Sequence, residues 1–339
     1  MTTTETPDAH RLVTDVAERA LIARIREQLA SSPPWLTIGI GDDAAVVEPP
    51  RNLLEVITTD ACVEGVHFDR RFVPPEAAGA RAIAMNLSDL AAMGATPRLA
   101  TLSLLLPAAT TLGELDALVG GVAGTARTYG LTVVGGNLSR SPGPLVIDVT
   151  ALGTVPRRRL LTRNGARPGD HVFVSGVLGA ARAGLEQLQA HGPGAPETVT
   201  TLRYLRPEPR LRLGAQLGRA RAATACMDLS DGLADAVRQV AAASGVGARI
   251  DAQALPVAEG LRRLAREREA DPILMAAAGG DDYELLFAVP ARRRGRLKTV
   301  VQQARGVAVT RIGELTAAPE VVLVRNGRAE ELPAGFVHF

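Results

Sequence analysis

Two spacings of apolar residues divide the chain into predicted elements. Apolar side chains three and four positions apart predict amphipathic helices, whereas short continuous apolar runs predict buried strands. The predicted helices cover residues 14–29 (capped by Thr14), 76–94, 112–129, 178–188, 201–220 and 230–244. The predicted strands cover residues 53–59, 99–106, 131–137, 145–152, 171–176, 248–251, 283–289, 309–313 and 321–324. Because strands and helices alternate in both halves, the pattern predicts an α/β or α+β protein.

The length of the chain and one polar stretch predict two domains. A chain of 339 residues exceeds the usual size of a single hydrophobic core. Residues 155–169 are basic, polar and interrupted by proline and glycine, as linkers between domains commonly are. We therefore predict an N-terminal domain over residues 1–155 and a C-terminal domain over residues 156–339.

The composition argues against several classes of protein. Only 3% of the residues are aromatic, too few for base-stacking platforms, so no nucleic-acid partner is expected. Cys62 and Cys226 lie far apart and outside any Cys-x-x-Cys pair, which argues against a zinc site and against a disulfide framework. No apolar run approaches membrane-spanning length, and the N-terminus lacks the features of a signal peptide. We expect a cytoplasmic protein without a membrane partner.

The common nucleotide-binding motifs are missing from the sequence. Lys298 is the only lysine, and it follows no glycine-rich loop, so the chain has no P-loop and no protein-kinase lysine. The Gly39-x-Gly41 spacing resembles a dinucleotide fingerprint, but Asp42 and Asp43 would repel a pyrophosphate and the next residues predict a strand. If the protein handles ATP, metal ions and arginines must provide the positive charge.

Aspartates recur in short clusters, most of them at the ends of apolar runs beside glycine, serine or threonine. The clusters occupy residues 39–43, 58–60, 86–89, 226–231 and 279–282. A single aspartate in such a place is more often a turn former or a helix cap than a ligand. Asp228 and Asp231 are each candidates to cap the next helix, and Asp170 and Asp251 are assigned as plain turn acids. The number of clusters nevertheless favours a shared site.

Convergence of these acids requires cations. Two carboxylates ~5 Å apart at an effective dielectric of ~20 repel each other by roughly 3 kcal/mol, so several such pairs would exceed the stability of a typical domain. Oxygen donors without a cluster of cysteine or histidine favour Mg²⁺ or Mn²⁺ over zinc. Ser230 and the helix start beside it offer a hydroxyl and N–H groups to phosphate. The sequence thus predicts one site for Mg²⁺ and a polyphosphate.

Seven motifs, in this order along nearly the whole chain, resemble those of the thiamine-monophosphate kinases of the aminoimidazole-ribonucleotide-synthetase-like superfamily. They are Gly39-Ile-Gly-Asp-Asp43, Thr58-Thr-Asp60 with Glu64-Gly-Val-His67-Phe, Asn86-Leu-Ser-Asp-Leu-Ala-Ala-Met-Gly-Ala95, Leu161-Thr-Arg-x-Gly-Ala-x-Pro-Gly-Asp170, Met227-Asp-Leu-Ser-Asp-Gly-Leu233, Gly279-Gly-Asp-Asp-Tyr-Glu-Leu285 and Gly335-Phe-Val-His-Phe339.

The resemblance implies a fold and an activity. The implied fold is a two-domain PurM-like α/β (α+β) architecture in which the N-terminal domain binds metal and ATP. The same domain is implied to contribute strands to a β-barrel at the interface of a homodimer. The implied reaction transfers the γ-phosphoryl group of ATP to thiamine monophosphate, which yields thiamine diphosphate and ADP.

The resemblance also implies roles for individual residues. Asp60, Asp89 and Asp231 are implied to be catalytic. The implied Mg²⁺ ligands are Asp43, Thr58, Thr59, Asp60, Asp89, Asn137, Asp228 and Asp231. The implied ATP contacts are Gly136, Asn137, Arg163 and Ser230, and the implied thiamine-phosphate contacts are His67, Asp281 and Phe336.

Three of these positions depart from the family pattern. Asn137 stands where aspartate is common, and because an amide oxygen carries no charge, a weaker or absent metal position is expected there. Asp281 replaces a longer glutamate, and Phe336 replaces a tyrosine or tryptophan. Two other functions stay open at this point: another ATP-dependent synthetase of the superfamily, and a non-catalytic subunit that binds metal and nucleotide.

The acceptor chemistry bears on the role of His67. A phosphate monoester has a second pKa of ~6, so the acceptor is already mostly ionised at neutral pH. No general base is then required, and direct transfer without a phosphoenzyme is expected. A role for His67 as a hydrogen-bonded structural residue stays open beside the substrate contact.

Overall fold

The computed structural model describes residues 8–335, and this part of the chain divides into two units. The first unit contains residues 8–86 and Pro97–Thr154, and the second contains Leu87–Thr96 and residues 155–335. The assignment of metal and ATP binding to the N-terminal domain stays a prediction. None of the helices in the described range is long and apolar enough to cross a membrane.

The helices, in chain order, have the following bounds. They are α1 (Glu18–Leu29), α2 (Pro75–Ala92), α3 (Leu112–Tyr129), α4 (Ala180–His191), α5 (Val199–Leu205), α6 (Leu211–Ala220), α7 (Leu233–Ser244), α8 (Glu259–Glu267), α9 (Pro272–Ala278) and α10 (Arg294–Ala304). Single 3₁₀ turns cover Val13–Asp15, Arg157–Arg159, Gly192–Gly194, Ala252–Ala254 and Ala291–Arg293.

The strands have the following bounds. They are β1 (Leu36–Ile38), β2 (Val46–Val47), β3 (Leu54–Val63), β4 (Thr96–Pro107), β5 (Thr132–Ser141), β6 (Val146–Val155), β7 (Asp170–Ser175), β8 (Ala225–Asp228), β9 (Gly247–Asp251), β10 (Leu285–Pro290), β11 (Val309–Thr316), β12 (Val321–Arg325) and β13 (Arg328–Glu331).

Local signals account for the bounds of α3. The Thr111 hydroxyl accepts from the Glu114 N–H, and the Glu114 carboxylate accepts from the Thr111 N–H in return. This capping box satisfies two donors that the first turn would otherwise leave unpaired. Gly130 ends the helix in the left-handed region at φ 70°, where glycine carries no steric penalty.

Two helix predictions were wrong: one named the wrong capping residue, and the other missed a break between two helices. Thr14 does not cap α1, because residues 13–15 form a 3₁₀ turn and the helix begins four residues later, after an extended Ala17. The single helix predicted over 201–220 is two helices, with Pro207 and Pro209 between them. Proline has no N–H and disfavours helical backbone at the preceding residue.

The short helices α8 and α9 were not predicted from the sequence, and α10 was indicated only by the run of arginines at 292–294, interpreted as a solvated helix face, without bounds. The apolar signal of α8 is weak, since only Leu261 and Ala265 of its nine residues are buried. The strand predicted over 283–289 begins at Leu285, because Tyr283 has a left-handed φ of 49°.

A four-stranded sheet in the order β3-β6-β4-β5 forms the frame of the first unit. Along β6 every second residue from Ile147 to Val155 is buried and the residues between them are half-buried, as the alternation of side chains along a strand requires. Helices α2 and α3 pack closely, since a side chain on Gly121 would lie 1.9 Å from the Glu76 carbonyl oxygen. This packing holds the first half of α2 against α3.

The second unit contains a seven-stranded sheet in the order β13-β12-β9-β11-β7-β10-β8. Every residue of β7 and β10 is buried. Val174 and Leu286 belong to one hydrophobic cluster, whereas Phe173 and Phe287 belong to another. Because neighbouring residues of a strand point to opposite faces, both faces of these central strands are covered. The end of β8 is thereby held against β10.

The parallel pairing of β4 with β5 gives a test of one glycine. Gly136 lies opposite Leu102, and a Cβ at Gly136 would lie 1.8 Å from the Leu102 carbonyl oxygen, whereas a Cβ at Gly135 would meet nothing within 4 Å. We expect Gly136→Ala to lower the free energy of unfolding by about 1–3 kcal/mol through overpacking. Gly135→Ala is the matched control and should cost clearly less. Urea unfolding without nucleotide measures both, and equal losses would contradict the steric explanation.

Candidate functional site

A cleft of about 1070 Å³ in the first unit holds three of the predicted site residues. Its walls come from α1, from the turn after β1, and from the middle of β4 and β5. The lining residues are Arg19, Ile22, Ala23, Ile25, Arg26, Leu29, Gly39, Ile40, Gly41, Asp42, Asp43, Ala44, Ala45, Thr101, Leu102, Ser103, Leu104, Val134, Gly135, Gly136, Asn137 and Leu138. Asp43, Gly136 and Asn137 are thus brought together, while the two arginines were not predicted.

The acidic turn of this cleft depends on Gly41. Its φ of 126° lies in a region that side chains strongly disfavour. The next residues are tied locally, because the Asp43 N–H donates to the Asp42 carboxylate at 2.8 Å. Both aspartates remain exposed, and their carboxylates offer oxygen ligands to the cleft.

Thr58, Thr59 and Asp60 follow one another on β3 and alternate between its faces. Thr59 is exposed and lies beside β6, with its hydroxyl 3.2 Å from the Val149 carbonyl oxygen and 3.1 Å from the Thr150 hydroxyl. Thr58 and Asp60 are half-buried on the opposite face. Side chains on opposite faces of a strand cannot reach one ion together. Thr58 and Asp60 can share a cation through their side chains, whereas Thr59 could join them only through its main-chain oxygen.

His67 lies in a tight turn that follows β3. Its Nδ1 accepts from the Val63 N–H at 3.1 Å, and the nearby Glu64 carboxylate accepts from the Leu145 N–H at 3.0 Å. Because Nδ1 accepts a hydrogen bond, the proton of the neutral ring lies on Nε2. The ring is therefore oriented by the fold, with Nε2 as its hydrogen-bond donor.

Asp228 ends β8 inside the second unit and is almost completely buried. The residue is 2% exposed, and its carboxylate accepts from the hydroxyl of the fully buried Ser88 at 2.7 Å. Ser88 precedes the half-buried Asp89 near the end of α2. This bond ties the α2 motif to the end of β8. Ser88 was not among the predicted site residues, although its place beside Asp89 in the same motif was a usable signal.

Main-chain hydrogen bonds join the loop after β8 to the loop before β10. The Asp281 N–H donates to the Ser230 carbonyl at 2.7 Å, and the Tyr283 N–H donates to the Leu229 carbonyl at 3.0 Å. A Cβ at Gly280 would lie 2.6 Å from the Ser230 carbonyl oxygen, and one at Gly232 would lie 2.8 Å from that of Gly279. Ser230, predicted to contact ATP, and Asp281, predicted to contact the substrate, are thereby held side by side.

Two residues of this loop have backbone strain. Asp281 and Tyr283 have φ values of 65° and 49°, where residues other than glycine cost on the order of 1–3 kcal/mol each. The Tyr283 hydroxyl donates to the Asp281 carboxylate at 3.0 Å. Strain of this kind persists where surrounding contacts enforce it and is concentrated at functional sites.

Asp282 and Glu284 anchor the same loop to the core. The Asp282 carboxylate accepts from the Gly179 N–H at 2.6 Å and from the Ala181 N–H at 3.4 Å, so it caps α4. The buried Glu284 accepts from Arg210 Nε at 2.6 Å and from the Ser175 hydroxyl at 2.5 Å. Both acids lie in the Gly279-Gly motif, but nothing local in the sequence indicates these partners.

The remaining predicted residues have other surroundings. Arg163 is exposed, and its guanidinium donates to the Gln239 side chain on α7 at 2.6 Å. Asp170 is buried and accepts from the Thr224 hydroxyl, and Asp251 caps a 3₁₀ turn, so both have structural roles. Phe336 lies outside the described residues.

The predicted metal-binding acids are found in both units. No three His, Cys, Asp or Glu side chains between residues 8 and 335 gather into a group that could hold a metal ion. Asp42 and Asp43 adjoin in the first unit, and Asp228 and Asp231 lie three residues apart in the second. The convergence of all these acids on one ion stays a prediction.

Both parts of the chain match known protein families. Residues 41–155 match the N-terminal domain of AIR synthase related proteins, and residues 167–326 match the C-terminal domain of the same group. The thiamine-monophosphate kinase of Salmonella typhimurium strain LT2 is 38% identical over 327 residues, which cover 95% of this chain and 98% of that protein. The chain belongs to the thiamine-monophosphate kinase family.

Solved structures of thiamine-monophosphate kinases have the same fold. The enzyme from Stenotrophomonas maltophilia K279a is 37% identical, with a TM-score of 0.81 over 93% of this chain and 98% of that one. The structure of AaThiL complexed with AMPPCP and TMP is 35% identical, with a TM-score of 0.75 over 96% of this chain and 98% of that one. The resemblance and the two-domain α/β fold it implied are confirmed.

The environment of Asp282 predicts a pH effect on stability. Burial, opposed by the two N–H donors and reinforced by the nearby charges of Glu284 and Asp281, raises the pKa of its carboxyl to about 7. Between pH ~4 and 7 the folded protein therefore retains a proton that the unfolded chain releases, so this group makes the protein less stable as the pH rises. Asparagine has no such proton. From pH 5 to pH 8, the free energy of unfolding of Asp282→Asn should gain roughly 2–3 kcal/mol relative to wild type. Urea unfolding at both pH values measures it, and parallel pH profiles would contradict the prediction.

Proposed function

We propose that this chain transfers the γ-phosphoryl group of ATP to thiamine monophosphate and so forms thiamine diphosphate and ADP. The observation that carries the proposal is the relation to curated thiamine-monophosphate kinases over 98% of a relative's length. A related structure of 35% identity holds AMPPCP and TMP together, as a kinase that binds both substrates at once would. The chemistry of the residues in each unit is consistent with such a reaction.

The bond changes follow from the two substrates. An oxygen of the acceptor phosphate attacks the γ-phosphorus, the bond from that phosphorus to the β,γ-bridging oxygen breaks, and ADP leaves with the electron pair. The acceptor phosphate, with a second pKa of ~6, is mostly ionised at neutral pH and needs no base to activate it. The protein therefore positions two polyanions in line and offsets their repulsion. No phosphoenzyme is required.

The described residues support roles in binding and orientation. Ser230 would donate its hydroxyl to ATP and Asp281 would accept from the thiamine substrate, from two loops joined by main-chain bonds. His67 would donate from Nε2 to the acceptor phosphate, because Nδ1 is occupied by the Val63 N–H. Arg163 would contact ATP from the start of the second unit, and Gly136 would line the nucleotide cleft.

The donor atoms fit Mg²⁺ or a similar hard cation. In the first unit Asp43 and Asn137 line one cleft with oxygen atoms, and in the second the buried Asp228 carboxylate is already oriented by Ser88. Mg²⁺ is commonly held by one or two carboxylates together with phosphate oxygens and waters. Such ions would neutralise the charge that develops on the transferred phosphoryl group. The proposed protein ligands are Asp43, Thr58, Thr59, Asp60, Asp89, Asn137, Asp228 and Asp231.

A homodimer and a cytoplasmic location stay proposals. One face of the four-stranded sheet supports the dimer, since Ile57 on β3 is 65% exposed and Leu105 and Leu152 on the same sheet are half-exposed. Apolar side chains that share an open sheet face favour a second surface to cover them. Sedimentation velocity on wild type and Ile57→Glu would test this, and a monomeric wild type would rule the dimer out.

The choice of acceptor tests the proposed reaction. We expect thiamine monophosphate, but not free thiamine, to stimulate ADP release from ATP, because the acceptor oxygen must belong to a phosphate. A coupled ADP assay with product chromatography measures this, with Asp231→Asn as the control for contaminating kinases. ADP release with another acceptor would indicate a synthetase, and ATP binding without turnover would indicate a binding subunit.

Asn137 gives a test of the metal position. Asn137→Asp adds a charged ligand, so it should lower the Mg²⁺ concentration for half-maximal rate by roughly threefold to tenfold, as about 1 kcal/mol of added attraction implies. Asn137→Ala removes the amide oxygen and should raise that concentration. Initial rates against free Mg²⁺ at saturating ATP measure both variants. An unchanged Mg²⁺ dependence in both would show that residue 137 is not a ligand.

A further inference from the structure

Two arginines of α1 line the cleft of the first unit, and their guanidinium groups do not bind the side chains or main chain of the described residues. Arg19 and Arg26 are seven residues apart, so they lie on the same side of the helix, and both line the cleft. Neither forms a hydrogen bond or an ion pair with any residue from 8 to 335. A Cβ on Gly41 would lie 3.0 Å from Arg26 Nη1, which places this guanidinium over the acidic turn.

A third arginine of the same helix shows the contrast. Arg24 points to α3, where its Nε donates to the Asp116 carboxylate at 2.5 Å, and its Nη1 donates to Asp8, ahead of α1, at 3.2 Å. Gln28 donates to the same Asp116 at 3.2 Å. Arg24 therefore fastens α1 to its neighbours, which leaves Arg19 and Arg26 available to a ligand.

The opposite wall of the cleft carries negative charge that is likewise unpaired. Asp42 and Asp43 form no ion pair with any described residue, although Arg26 lies on the facing wall. A cleft lined by arginines and aspartates that do not pair with each other is complementary to a ligand that carries both negative and positive charge. A polyphosphate with a bound divalent cation is such a ligand, since its oxygens suit guanidinium forks and its cation suits carboxylates.

We propose that Arg26, with Arg19 as a second and more distant contact, binds the polyphosphate of the nucleotide in this cleft. The proposal rests on the proposed function for the identity of the nucleotide. It gives α1 the part that a P-loop lysine has elsewhere, in a chain whose only lysine is Lys298. The cleft, at about 1070 Å³, reaches the upper end of the usual range of ligand pockets, about 300–1000 Å³.

Binding of two ligands that differ only in their phosphates tests the proposal. The Kd of AMPPCP with Mg²⁺ and the Kd of adenosine are measured by calorimetry on wild type, Arg26→Ala and Arg26→Lys. Arg26→Ala should raise the Kd of AMPPCP by roughly tenfold to a hundredfold, as the loss of a charge-assisted contact implies. The Kd of adenosine should stay within about twofold of the wild-type value. Arg26→Lys should fall between, because it keeps the charge and loses the planar fork.

A matched control separates contact from net charge. Arg127 is equally exposed on α3 and does not line the cleft, so Arg127→Ala changes the net charge by the same amount and should leave AMPPCP binding within about twofold. Thermal unfolding of each variant shows whether the fold is kept. Arg19→Ala should raise the Kd of AMPPCP less than Arg26→Ala does, and the variant with both substitutions should have a higher Kd than either single variant.

Each result decides the proposal. Unchanged AMPPCP binding in Arg26→Ala, equal weakening of AMPPCP and adenosine, or equal weakening in Arg127→Ala would overturn it, as would a wild type that binds no AMPPCP. If thiamine monophosphate stimulates no ADP release but Arg26→Ala still weakens AMPPCP selectively, the inference stands and the proposed reaction fails. If the reaction is confirmed and Arg26→Ala leaves the Kd of AMPPCP unchanged, only the inference fails.

Discussion

The positions of the predicted site residues Ser230 and Asp281 depend on two main-chain segments that contact each other directly. The loop after β8 and the loop before β10 exchange N–H and carbonyl groups, at distances that exclude a side chain on Gly232 and on Gly280. Main-chain bonds do not depend on rotamers, so they hold Ser230 and Asp281 in one relation whatever the surrounding side chains do. The left-handed backbone at Asp281 and Tyr283 is the energetic cost of that arrangement. It persists because Asp282 caps α4 and Glu284 pairs with a buried arginine.

Burial of Arg210 and Glu284 removes two charges from water, which costs desolvation free energy. A buried ion pair often contributes little net stability, but removal of one partner leaves an uncompensated charge and costs about 3–5 kcal/mol. Glu284 is satisfied by two guanidinium nitrogens and the Ser175 hydroxyl. The network therefore specifies one position for the loop that follows Gly279, which is the property that a substrate contact at Asp281 needs.

Charge in the first unit is divided between contacts that hold the fold and groups that remain open to a ligand. Arg24 illustrates the first kind through Asp116, and Arg26 the second, although both belong to one helix. Asp43 and Asn137 line the cleft, and Mg²⁺ is usually held by one or two carboxylates together with phosphate oxygens and water. A nucleotide that brings its own oxygens thus suits the charges of this cleft.

The sequence by itself determined the family, the α/β class, most helices and strands, and the acids available to a metal. These follow from residues close together in the chain, such as the Thr111 and Glu114 capping box or the glycines at tight turns. Only the tertiary structure decided that Ser88 bonds to Asp228 across 140 positions and that Arg210 meets Glu284 across 74. Likewise, only the sheet showed that Thr58 and Thr59 face opposite sides and that Gly136 must be glycine because of Leu102. Local propensity acts over a few residues, whereas strand order and register are set by the burial of whole surfaces, which no short stretch of sequence encodes.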